Sequence, residues 1–236
     1  MSTAAVLSDF FTAALREAGS NRPANLTSFI PAVDELTDGG FPAGALTEIF
    51  IPHAGLGEIR MLLPALAAMK HVTWVLPNES AFEPYAPGLA DFGLDLDRLL
   101  FTVPSTPEEA FWCTEQAAAS GETSAVVAWL NPLARGRDSA VLARLAMAAR
   151  STGTPVFLIR PSCMACTPFS AELRLTLSPG RPGTVHIRAI RRGTFFDRTR
   201  EADACLKARP VVRTQCPNRR GSHRTIVSSA RLSPVC

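Results

Sequence analysis

Hydrophobic positions in this chain switch several times between a helical period and short continuous runs, and the switches predict its elements. Val6, Phe10, Phe11, Ala14 and Leu15 recur at helical spacing, so Ala4–Ala18 reads as an amphipathic helix that stops near Gly19. A connector rich in Asn, Pro and Ser follows, and Pro31–Leu36 reads as a short helical turn closed by Asp38-Gly39-Gly40. Continuous apolar runs at Ala45–Ile51, His71–Leu76, Leu99–Val103, Ala125–Leu130 and Pro155–Ile159 read as strands, several of them of fully buried type. Helical patterns over Gly57–Met69, Pro107–Ser120 and Asp138–Ser151 lie between them, with Glu83–Phe92 punctuated by Pro84 and Pro87. Leu173–Leu177 and Thr184–Ala189 then alternate apolar with polar positions and are joined by the Pro/Gly turn Ser178–Gly183.

Strands that alternate with helices of about a dozen residues imply parallel pairing through crossover helices. The expected architecture is therefore a three-layer α/β/α domain with a mostly parallel sheet and a C-terminal antiparallel hairpin. After about Arg200 no period is sustained and arginines accumulate, which predicts three parts: an N-terminal helix in 1–25, a core over 26–200, and a basic, disordered tail over 201–236. The length and the 47% hydrophobic content suit one α/β domain with a tail.

Charge sharpens this division. The net charge is only +3, yet residues 1–180 carry 11 Lys/Arg against 18 Asp/Glu while residues 181–236 carry 13 against 3. An acidic body with a basic end points to nucleic acid or an acidic partner at that end. No apolar run of about 18 residues exists and no basic segment precedes the first helix, so the expectation is a cytoplasmic protein without a membrane span. Of the six cysteines, Cys163 and Cys166 alone have metal-like or redox-like spacing, and no second matching pair completes a zinc site. Neither a metal nor a cofactor is expected.

The candidate chemistry lies between Gly39 and Leu63, which reads GGFPAGALTEIFIPHAGLGEIRMLL: a glycine turn, a strand, a loop with Pro52, His53, Gly55 and Gly57, then a helix. A phosphate-binding loop in this position ends in Gly-Lys-Ser/Thr, because the lysine reaches the β/γ-phosphates and the hydroxyl holds magnesium. Here Gly57 is followed by Glu58 and Ile59. A carboxylate repels a triphosphate, and isoleucine cannot ligate a metal. Glu58 thus reads as a first-turn helix residue favoured by the helix dipole, and His53 is a lone loop histidine without an adjacent partner.

Taken in order, these segments resemble the RecA-type ATPase core. The resemblance runs from LTSFIPAVD at Leu26–Asp34 through GGFPAGALTEIF, and from Pro84-Tyr85-Ala86 through LADFGLDLDRLLFTVPSTPEEAFWCTEQAAASGETSAVVAWL, covering roughly residues 26–160. Within that superfamily, Phe41–Glu48, Gly57-Glu58-Ile59-Arg60, Leu62–Leu66 and Ala128-Trp129-Leu130 look most like the ImuA branch, which is related to the SulA-type cell-division inhibitors. The resemblance implies a P-loop-type core with a degenerate nucleotide site: Glu58-Ile59 stand for the Lys-Thr pair, Trp129 stands at the Walker B aspartate, and the catalytic glutamate has only Asn78 or Glu79 nearby. Losing the lysine and the strand-end acid removes charge neutralisation and magnesium support from phosphoryl transfer, so no enzymatic activity is expected.

What the resemblance implies in the cell is an accessory role in damage-induced (SOS) translesion DNA synthesis, with polymerase-associated proteins and a RecA-type recombinase as partners. An inhibitor of a tubulin-like division GTPase and an unorthodox ATPase are the alternatives. Arg188, Arg191, Arg192, Arg198, Arg200, Arg219 and Arg220 are the candidate contacts to DNA phosphates or to an acidic partner. Trp74 reads as core. Trp129, at a strand end that faces the ligand crevice, suits either the core or a pocket or interface.

Overall fold

The computed structural model describes residues 25–78, 84–133, 137–167, 171–192 and 200–206. The first expected helix and the tail beyond residue 206 lie outside them. The chain enters at β1 (Asn25–Leu26), which pairs antiparallel with β2 (Phe41–Pro42), and the intervening α1 (Pro31–Leu36) carries Pro at its start. Gly40 is required here: at φ +110° a Cβ would lie 2.1 Å from the Leu26 carbonyl oxygen.

The alternating units follow as expected: β3 (Leu46–Ile51), α2 (Glu58–Ala67), β4 (Val72–Val75), α3 (Ala86–Asp91), β5 (Leu99–Thr102), α4 (Pro107–Ser120), β6 (Ala125–Trp129), α5 (Asp138–Thr152) and β7 (Val156–Pro161). Helix α4 begins on the Thr106 hydroxyl, which accepts from the Glu109 N–H at 3.2 Å, and ends at Gly121 with φ 71°. A single 3₁₀ turn over Ser162–Cys166 leads on to β8 (Leu173–Pro179), β9 (Thr184–Arg192) and β10 (Arg200–Cys205).

All three last strands join the main sheet, whose order is β10-β9-β8-β3-β7-β6-β4-β5. β3 to β8 run parallel, β9 runs antiparallel to β8, and β10 runs antiparallel to β9. Consecutive side chains of these strands point to opposite faces, so each continuous apolar run feeds two cores. On one face Ile49, Trp74, Val127, Phe157 and Leu175 pack against Val33 and Leu36 of α1, Met61, Leu62 and Leu66 of α2, and Leu89 of α3. On the other, Leu46, Val126, Ala128 and Leu158 meet Phe111 of α4 and Leu142, Leu145 and Ala149 of α5. Each large side chain fully removed from water stabilises the fold by about 1.5–3 kcal/mol.

The core boundary expected at residue 200 is corrected. Arg200–Cys205 forms a strand along β9, and Leu206 beyond it is buried. The hairpin is thus a three-stranded meander. Its last strand presents Ala202, Ala204 and Leu206 to the core while Glu201, Asp203 and Cys205 face outward. Two of those inward residues are alanines, too small to stand out as an alternating apolar pattern beside the arginines.

Candidate functional site

The loop after β3 leaves the sheet at Ile51 and turns through Pro52, His53, Ala54, Gly55 and Leu56 into Gly57, the N-cap of α2. Gly57 has φ 118°, a left-handed backbone that strains any residue with a Cβ, and the Leu206 and Val185 side chains pack close beside it. The meander therefore reaches over the loop, with Val185 and Leu206 against its last glycine.

Glu58 turns back into this loop. Its carboxylate accepts from the Gly55 N–H and from the Gly57 N–H, both at 2.9 Å, and the residue is 1% exposed. Successive loop amides at a helix N-terminus form an anion-binding nest. In this chain the nest holds a carboxylate supplied by the first residue of its own helix. That residue directly follows Gly57, the last glycine of the loop. The side chain of Ile59, the next residue, packs against the apolar core on the α2 side.

A cavity of about 230 Å³ opens at the C-terminal ends of β3, β7 and β6, lined by Pro52, His53, Pro77, Trp129, Asn131 and Arg160 among others. In open parallel sheets this end, where the strand order reverses, is where ligands bind. His53 is exposed, with Nδ1 3.2 Å from the Ala54 carbonyl oxygen. Trp129 is 8% exposed and stacks on Trp74 at 5.9 Å, and Trp74 meets Phe101 at 5.8 Å. Trp129 therefore belongs both to the core and to the cavity wall. It ends an aromatic row that crosses β6, β4 and β5 on one face.

Sequence reasoning passed over the most buried charges. Glu48, in the middle of β3, is 0% exposed, and its two carboxylate oxygens accept from the guanidinium groups of Arg160 at 3.0 Å and Arg174 at 2.8 Å. Arg160 also donates to Asp138 at 2.6 Å, whose second oxygen caps the Leu133 N–H at 2.7 Å. Arg174 lies over the Phe50 ring at 4.8 Å. Two arginines and two carboxylates thus neutralise one another between β8, β3, β7 and the start of α5. The visible signal was a glutamate inside LTEIFI and an arginine closing VFLIR, charges in runs that otherwise read as fully buried strands.

The candidate arginines are less free than their number suggests. Arg188 lies 3.9 Å from Glu201 across β9 and β10, and Arg200 pairs with Asp38. Beside them His186 contacts Asp203 at 2.9 Å. Arg191 and Arg192 stand at the end of β9, and Arg198, Arg219 and Arg220 lie outside the described residues, as does Glu79. Cys163 and Cys166 are exposed thiols on the 3₁₀ turn, and among the described residues no three His, Cys, Asp or Glu side chains gather as metal ligands. Among the same residues no helix is long and apolar enough to cross a membrane. Compared with models of protein families and with curated proteins, the chain matches none.

Proposed function

We propose that this chain is a non-catalytic, RecA-like accessory protein that works by contact, in damage-induced mutagenic translesion DNA synthesis. The observation that carries the non-catalytic part is the Glu58 carboxylate held by the Gly55 and Gly57 amides, where a nucleotide-binding loop would offer those amides to phosphate. An anion already in the nest competes with a second one, and the charge repels a triphosphate across the same short distance. Trp129 at the end of β6 adds an indole where magnesium would need a carboxylate.

The RecA-like part rests on the order of elements. The loop follows β3, the strand ending in Trp129 lies two places away, and β7 is inserted between them. The cellular role rests on the resemblance of Phe41–Glu48, Gly57–Arg60 and Ala128–Leu130 to the ImuA branch. Partners in this reading are translesion-polymerase-associated proteins and a RecA-type recombinase, with DNA reached through the basic C-terminal region.

Two experiments test the two parts separately. Titration calorimetry with ATP and magnesium should give no binding heat at micromolar concentrations, and micromolar binding would overturn the non-catalytic reading. Affinity capture from cells after DNA damage should recover a translesion polymerase component or a recombinase. Recovery of a tubulin-like GTPase instead would favour a division inhibitor on the same scaffold.

A further inference from the structure

The 3₁₀ turn over Ser162–Cys166 leaves β7 at the C-terminal end of the parallel strands, the end at which the loop after β3 also begins. It packs against β3 and β7. The Met164 carbonyl oxygen anchors it, accepting from the Thr167 N–H at 3.1 Å and from Arg174 Nη2 at 3.5 Å. Through Arg174, which also donates to Glu48, the turn is tied to the buried charge cluster. Three residues complete one turn of a 3₁₀ helix, so side chains at i and i+3 eclipse. Cys163 and Cys166 are such a pair, and both are exposed. Three rises of about 2.0 Å set their Cα atoms about 6 Å apart. A disulfide bridges Cα separations of about 4.4–6.8 Å.

We propose that Cys163 and Cys166 form a reversible dithiol–disulfide site that exchanges electrons with small disulfides of the glutathione class. The thiolate of one cysteine attacks a sulfur of oxidised glutathione, expels one glutathione thiolate and leaves a mixed disulfide. The second cysteine, also as thiolate, attacks its neighbour's sulfur, expels the second glutathione and closes the Cys163–Cys166 bond. Two electrons pass from the cysteine pair to the small disulfide, and the two thiol protons end on the two released glutathiones. Because the eclipsed pair is held on one turn, the closing step is intramolecular and outruns a second glutathione. Exposed disulfides are the labile ones, so an excess of reduced glutathione reopens the bridge by the same steps in reverse.

The surroundings suit this exchange. The segment SCMACT at 162–167 has no acidic side chain to repel an anionic disulfide. The other cysteines of the described residues are poor competitors: Cys113 is half-buried on α4, and Cys205 lies on β10, four strand spacings or about 19 Å across the sheet from β7.

The test is to equilibrate the folded full chain with oxidised glutathione, block free thiols with N-ethylmaleimide and map tryptic peptides by mass. Both cysteines fall in one peptide, residues 151–174, because Pro161 blocks cleavage after Arg160. That peptide should appear two hydrogens lighter than its reduced form, with neither maleimide nor glutathione attached, and dithiothreitol should restore double alkylation. In Cys163→Ser and in Cys166→Ser the remaining thiol has no partner to resolve the mixed disulfide, so glutathione on this peptide should rise roughly tenfold over the wild type. Serine at these exposed positions leaves the backbone anchors of the turn in place. A wild-type peptide that carries as much glutathione as the single variants, or that stays doubly alkylated in excess oxidised glutathione, overturns the proposal. A bridge from this peptide to any other cysteine, in the same chain or a second copy, overturns it as well.

Discussion

Glu48 and Glu58 stand ten positions apart, are both buried, and are satisfied in opposite ways. Glu48 accepts from two arginines that lie 112 and 126 residues further along the chain. Glu58 accepts from two backbone amides within three residues of itself. The first carboxylate ties together strands that meet only when the sheet is complete. The second closes a loop that is fully local. One therefore belongs to the stability of the whole fold, and the other to the chemistry of a single turn.

The largest test of this difference is Glu48→Ala. Two guanidinium groups would remain in the interior without a counter-charge, and removing one member of a buried ion pair costs about 3–5 kcal/mol. Urea unfolding followed by circular dichroism should show that loss. A change within the error of the measurement would mean that solvent reaches the cluster. Replacing Glu48 and both arginines together with apolar residues of similar volume should cost much less, because it leaves no stranded charge.

Glu58→Ala is expected to cost less, about 1–3 kcal/mol, the penalty for leaving buried amides without an acceptor. The same denaturation measurement compares the two directly. Equal losses at both positions would break the distinction between a fold-wide and a local carboxylate. Added phosphate sharpens the comparison: with the nest vacated, it should recover part of the stability of Glu58→Ala and none of that of Glu48→Ala.

Smaller effects are expected at the surface. Arg188→Ala should change stability by no more than about 0.5 kcal/mol, since its contact with Glu201 is exposed and long. If the basic end of the chain meets DNA phosphates, the same variant should lower affinity and flatten its salt dependence by about one contact's worth. The smallest expected effect is at Cys113. Burial, together with the nearby Glu109 carboxylate, pushes its thiol above the usual range. Thiolate forms less readily in the folded chain than in the unfolded one, so alkylation of Cys113 should lag behind that of exposed Cys163 and Cys166 and accelerate only in alkaline solution. The sign for stability follows: full below the unfolded thiol's pKa, it declines slightly as pH rises through the folded one. Peptide mass mapping of iodoacetamide-treated protein checks the order.

Much of the architecture was legible because period and breakers act locally. Pro107 after Thr106, and Gly121 and Gly153 after their helices, set boundaries that the structure reproduces within a residue or so. The strand at Arg200–Cys205 was not legible, since its inward side is built from alanines and its outward side from charges. At the loop, the absence of lysine could be read directly, but the placement of the Glu58 carboxylate could not. A glutamate in the first turn of a helix is compatible with pointing into water, and only the turn through Gly55 and Gly57 brings two amides to bear on it.

The sequence by itself determined the alternation of strands and helices, the glycines at which the chain must turn, and the Glu-Ile pair that follows the last glycine of the loop after β3. These are properties of single residues and near neighbours, fixed by φ/ψ preference, period and side-chain chemistry. Only the tertiary structure decided which charges are buried together, that Trp129 stacks on Trp74 while walling a cavity, and that one edge of the sheet lies open beside Trp112. The reason is separation along the chain: Glu48, Asp138, Arg160 and Arg174 become neighbours only once β3, β7 and β8 are in register, a pairing that no local pattern encodes.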